Sequence, residues 1–161
     1  MELPKRKQIR LRNFDYSTEG AYFITICTHN KEKLFGGVDS VSVPGQMVAE
    51  VFEHVLERYP QVSCPQYVVM PNHFHAILVI QRASAESSAT IMDVVQAFKS
   101  QSTVEYIRLV KEGKAKPFDK HIWQRSFYDH VIRNDHDFEE IYKYIEENPQ
   151  KWKLDRFYVN E

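Results

Sequence analysis

Cysteine is scarce in this chain: its 161 residues include two, Cys27 and Cys64, with no Cys-x-x-Cys spacing. This argues against a disulfide framework or a cysteine zinc site, and it fits a reducing, cytoplasmic setting. Long apolar runs are also missing. No stretch approaches the ~20 residues that a membrane-spanning helix requires, and no apolar segment follows the basic start, so neither membrane insertion nor secretion is expected. Charge of one sign is lacking too, since 21 Lys and Arg stand against 22 Asp and Glu for a formal charge of -1. The field of the whole molecule therefore does not attract a polyanion, and any nucleic-acid contact has to come from local clusters. Two such clusters exist: Lys5, Arg6, Lys7, Arg10 and Arg12 at the start, and Lys111, Lys114, Lys116 and Lys120 ahead of Trp123-Gln124-Arg125. Solvated loops and a tail are the competing reading of both.

With 43% hydrophobic and 13% aromatic residues, the chain suits one compact domain across residues 1–161, with residues 1–20 as a basic arm. A strand is predicted over Ala21–Thr28, where β-branched and aromatic residues follow Gly20. From Gln46 the period changes. Met47, Val51, Val55 and Tyr59 step by four, predicting a helix that Pro60 stops. Two strands follow, near residues 66–70 and 73–80, joined by Pro71-Asn72 as a hairpin. A second helix begins after Thr90 and runs toward Gly113, residues 121–132 suggest a fourth strand and its exit, and a last helix covers Phe138 to Asn148, opened by the Asn134-Asp135-His136-Asp137 capping cluster and closed at Pro149. The order β-α-β-β-α-β plus a helix implies an α+β fold with a ferredoxin-like antiparallel sheet.

His73 and His75 are two apart on a predicted strand, so both imidazoles project from one face and can hold one divalent ion. The strand is apolar on both faces, which predicts a central position. Hydrogen-bonded core histidines are the alternative, and imidazole alone does not choose among metals.

On the last helix, Phe138, Ile141, Tyr142 and Ile145 form an apolar stripe that predicts Tyr142 in the core. Tyr144 lies about 120° from the centre of that stripe, and Asn148, one turn later, about 80° away on the same flank. A phenol and an amide are thus presented together at the edge of the packed face. The spacing alone does not promote Tyr144 above a boundary aromatic with its hydroxyl in water, or Asn148 above an ordinary helix terminus before proline.

The run Val68-Val69-Met70-Pro71-Asn72-His73-Phe74-His75-Ala76-Ile77 resembles the His-hydrophobic-His (HUH) motif of single-tyrosine transposases, in particular the REP-associated tyrosine transposases. Residues 22–28, 123–134 and 144–149 are similar to the same family and come in its order, so the resemblance covers roughly residues 5–156. It implies that Tyr144 matches the nucleophile, that His73 and His75 match paired metal ligands, and that Asn148 matches the third ligand position. Insertion-sequence relatives commonly carry Gln there, and Asn has the shorter reach. The resemblance further implies Mg2+ or Mn2+, a homodimer, and single-stranded or hairpin DNA as substrate. In that reading the basic arm contacts phosphates, Arg125 and Arg133 lie near the site, and Trp123 either stacks on an unpaired base or packs in the core. A host-retained hairpin-binding descendant with weak or lost cleavage, and a metal-dependent hydrolase of small phosphate esters, are the alternatives from other classes.

Overall fold

The computed structural model describes residues 20–38, 42–81 and 90–159, so Lys5, Arg6, Lys7, Arg10 and Arg12 lie outside the described residues. The elements are β1 (Gly20–Cys27), α1 (Val43–Glu57), β2 (Val62–Met70), β3 (His73–Ile80), α2 (Ile91–Lys111), β4 (Tyr128–Ile132) and α3 (Asp135–Glu147), with a short 3-10 turn at Trp152–Leu154. The four strands form one antiparallel sheet in the order β2-β3-β1-β4. This is the expected α+β, ferredoxin-like arrangement, with the extra C-terminal helix in place. Among the described residues no helix is long and apolar enough to cross a membrane.

The pleat divides the core between the two faces of the sheet. Phe74, Ala76, Leu78 and Ile80 of β3 point into a cluster closed by α1 and α2, where Phe52 and Phe98 lie 4.7 and 4.8 Å from the Phe74 ring. Ile77, on the other face, joins Phe23, Cys27, Ile141, Ile145 and Phe157 beneath α3. Each such fully buried side chain contributes about 1.5–3 kcal/mol. The face of the sheet opposite α1 and α2 is therefore covered by α3 and the segment after it.

Element ends differ from the sequence pattern for identifiable reasons. Helix α1 starts before Gln46 because Ser42 caps it, accepting from Gly45 N at 2.9 Å, and because Pro44 suits a first turn. Asn134 accepts from Asp137 N at 2.8 Å and starts α3 at Asp135, three residues before Phe138. Strand β2 extends back to Val62 across a register irregularity between Ser63 and Gln66, where Pro65 is tolerated because β2 is an edge strand. The fourth strand is confined to residues 128–132, and Trp123 makes an isolated bridge with Thr28.

Tyr142 is exposed, contrary to the prediction for α3. The buried side of the helix centres on Ile141 and Ile145 and includes Asn148 and half-buried Tyr144. At 100° per residue this face leaves Tyr142 near its outer edge, where its ring stacks on Phe138.

Candidate active site

Strand register sets the histidine site. His75 pairs with Thr25 of β1 and Val68 of β2, and His73 pairs with Cys27 and Met70, so both histidines sit at the hairpin end of a central strand. Their rings share one face with centroids 4.6 Å apart, and neither side chain has any exposure. Each ring is fixed through Nδ1. His73 Nδ1 lies 2.8 Å from Asn72 Oδ1, and His75 Nδ1 lies 2.8 Å from Thr25 Oγ1. Asn72 uses its Nδ2 to donate to the carbonyls of Phe157 (2.7 Å) and Lys31 (3.3 Å), which leaves its oxygen for the imidazole.

That geometry leaves both Nε2 atoms turned inward with no hydrogen-bond partner, and Asn148 Oδ1 is buried and unpartnered as well. Leaving one buried polar atom unsatisfied costs about 1–3 kcal/mol, so three in one locality need a physical reason. Asp155 supplies a fourth group: its Oδ2 is 3.7 Å from His73 Nε2 and accepts from Asn148 Nδ2 at 2.9 Å. Ligand atoms of His73, His75 and Asp155 all lie within 4.8 Å of one another. Two neutral imidazoles, an amide oxygen and a carboxylate are a donor set that suits a divalent ion. Burial lowers the His73 pKa to about 4 against a smaller opposing effect of Asp155. Burial, reinforced by His73, holds His75 well below the usual imidazole range. Both rings are therefore neutral at pH 7, the form that binds metal.

Tyr144 stands beside this group in the same chain. Its ring centroid is 5.5 Å from His75 and 6.0 Å from Phe23, edge-on to the latter. Burial, then the nearby negative charge of Asp155, raises the phenol pKa to about 12. A cavity of about 250 Å³ opens at Tyr144 and is lined also by Asn148, Asp155 and Arg156. The imidazoles lie behind it, with Phe157 4.7 Å and Trp152 5.9 Å from the His73 ring.

The structure thus brings His73, His75, Tyr144 and Asn148 together. Trp123 is a correction to the stacking reading: it is buried, donates from Nε1 to Ser102 Oγ at 2.9 Å, and packs on Phe35 and Phe98. Arg125 and Arg133 are exposed on the segments flanking β4, and neither lines the cavity at Tyr144. Sequence reasoning missed Asp155, Asn72 and Thr25. Thr25 and Asn72 carried a usable signal, one across the strand pair and one in the hairpin turn. Asp155 carried none, because it reaches the site from an irregular segment.

The family model described as "Transposase IS200 like" matches residues 17–148, and the chain belongs to that family. A Haemophilus influenzae protein of uncharacterized function is 34% identical over 171 aligned positions, covering 96% of this chain and 94% of the relative. A candidate REP-associated tyrosine transposase of the same organism is 26% identical over 137 positions, covering 85% of this chain and 74% of its own. Among solved structures, a REP-associated tyrosine transposase bound to a REP hairpin superposes with a TM-score of 0.61 at 24% identity, covering 88% of this chain and 73% of that one. A candidate transposase from Deinococcus radiodurans R1 gives 0.52 at 18% identity, covering 87% and 96%. Both structural likenesses speak to the fold.

Proposed function

We propose that this chain nicks and rejoins single-stranded DNA beside a hairpin, of REP-like kind, in transposition, through a covalent bond to Tyr144. The observation that carries the reading is the convergence of three unpartnered buried atoms, His73 Nε2, His75 Nε2 and Asn148 Oδ1, with a phenol whose ring is 5.5 Å from His75. His73, His75 and Asn148, joined by Asp155, would hold Mg2+ or Mn2+. Such an ion, when bound, would polarise the scissile phosphate and stabilise charge developing on the leaving oxygen.

The chain's own residues do the rest. Asn72 and Thr25 hold the imidazole orientations, and the cavity at Tyr144 receives the phosphate. The Tyr144 oxygen attacks phosphorus in line as its proton passes to water. The bond from phosphorus to the 3′-oxygen breaks, and that oxygen takes a proton from solvent and leaves as a 3′-hydroxyl. The product is a 5′-phosphotyrosine, whose phosphodiester energy is kept, so a second 3′-hydroxyl can attack it and restore Tyr144 without ATP. At neutral pH a phenol with a pKa near 12 is almost entirely protonated. Neutralising Asp155 removes one of the causes of that shift. A homodimer belongs to the same proposal through the family resemblance.

One observation favours a second reading, a hairpin-binding descendant with weak or lost cleavage. Both imidazoles are fully buried, with Phe157 packed 4.7 Å from the His73 ring, so a phosphate reaches them only where the covering side chains give way. The test is incubation with labelled single-stranded DNA carrying a hairpin and Mg2+ or Mn2+, followed by denaturing electrophoresis. A covalent adduct that Tyr144→Phe abolishes is expected. Hairpin binding without adduct in either metal would select the second reading, and an adduct retained by Tyr144→Phe would overturn the nucleophile assignment.

A further inference from the structure

A groove of about 1160 Å³ runs past the hairpin turn at Pro71 and the segment after α3. Its lining includes Lys33, Lys116, Lys151 and Lys153 with Trp152 and Tyr158, and no acidic side chain. In a chain whose formal charge is -1, four cations, three of them without an anion partner, form a local field that the composition conceals. Lys151 is bonded to Glu147 at 2.7 Å, whereas Lys33, Lys116 and Lys153 make no ion pair among the described residues. Trp152 and Tyr158 meet edge to face with centroids 5.1 Å apart, and Trp152 is half-buried. Lysines that follow a phosphate backbone beside aromatic rings are the chemistry that holds an unpaired nucleic-acid strand.

The groove also leads somewhere. Lys151 and Leu154 line both it and the smaller cavity that opens at Tyr144, and Trp152 touches the site from behind, 5.9 Å from His73. We infer that this groove is the track for the unpaired DNA strand adjoining the scissile phosphate, with Lys116 and Lys153 on its phosphates and Trp152 against a base. The inference rests on the DNA-cleaving reading above and adds the path by which the strand enters.

The test is fluorescence anisotropy with a short fluorescein-labelled oligothymidine, comparing wild type, Lys116→Glu/Lys153→Glu, and the charge-matched control Lys111→Glu/Lys114→Glu, all at exposed positions. The groove pair is expected to weaken binding about tenfold or more and to lower the slope of log affinity against log salt by roughly 1.4, at about 0.7 per lost phosphate contact on a single strand. The control pair is expected to stay within about twofold of wild type, since it removes charge without removing a contact. Oligothymidine is also expected to quench tryptophan emission, and Trp152→Phe to abolish the quenching, because Trp123 is buried. Equal losses in the two lysine pairs, or quenching that survives Trp152→Phe, overturn the groove. If oligothymidine still binds wild type and Tyr144 still forms its adduct, those results leave the nuclease reading standing. A wild type that binds no oligothymidine and forms no adduct overturns both.

Discussion

Asn72 Oδ1 faces His73 Nδ1 at 2.8 Å, and because an amide oxygen only accepts, the proton of that imidazole resides on Nδ1. The lone pair of Nε2 then points into the site. The amide cannot turn over without losing its bonds to the carbonyls of Phe157 and Lys31. One side chain therefore fixes the tautomer of His73 and anchors the segment that covers it. Asn72→Ala is expected to reduce Mn2+ affinity about 10–100-fold, the usual cost of losing a ligand's supporting partner. Calorimetric titration checks this, and an unchanged affinity would show that the ring needs no such support.

Asp155 brings the negative charge that two neutral imidazoles and an amide lack. Asp155→Asn preserves the shape and an acceptor for the Phe157 N–H, which now bonds Oδ1 at 2.8 Å, while removing the charge. Mn2+ affinity in the absence of DNA is expected to fall about tenfold or more, by analogy with other supporting carboxylates. The Tyr144 phenol should titrate lower than in wild type, because the Asp155 charge is one of the two causes that raise it. Titration followed by ultraviolet absorbance, with Tyr144→Phe identifying the signal, measures the second effect.

The fold was legible because its signals are local and periodic. Strand β3, whose side chains alternate between faces with a period of two, is apolar on both and so reads as central, while the four-residue steps in α1 reflect burial of one helix face. His73 and His75 were legible through the same period of two. Trp123 was not, because its decisive partner, Ser102, is 21 positions away on α2. Tyr142 was misplaced in the core because the stripe was drawn from apolar residues, whereas the packed face also contains Asn148; Tyr144 keeps its expected place at the edge, half-buried. Asp155 has no periodic neighbour, and its role arises from tertiary closure after α3 ends.

Acid should destabilise the metal-free protein in a defined window. Unfolded histidines bind protons near pH 6.5, while folded His73 does so near 4 and His75 is also held well below its ordinary value. The unfolded state therefore takes up more protons as pH falls from 6.5 toward 4, and folding stability drops over that range. Above 6.5 these two residues add no pH dependence. Each imidazole kept neutral costs the folded state about 1.4 kcal/mol per pH unit between its two pKa values. Urea midpoints at pH 7 and pH 5 measure the loss, and His75→Gln is expected to shrink it. A variant with the same loss as wild type would assign the acid sensitivity to other groups.

The placement of Tyr144 against His75 within one chain makes a statement about subunits. With the ring centroids 5.5 Å apart and Asn148 one turn along the same helix, the proposed nucleophile and the proposed ligand set lie within one protomer. If cleavage uses this arrangement, each inactive variant lacks an element that its own chain must supply. Mixing Tyr144→Phe with His73→Ala/His75→Ala is then expected to restore no DNA adduct, whatever the oligomeric state. If α3 instead crosses between subunits during the reaction, a mixed dimer would assemble one intact centre from the partner's tyrosine and the first chain's histidines. Adduct formation approaching about one quarter of wild type, the share expected for a statistical mixture with one working centre in half of the dimers, would establish that crossing. The two variants should be co-expressed with distinguishable tags, so that absence of adduct is scored in a mixture shown to contain the mixed dimer, or on monomers where no mixed species forms.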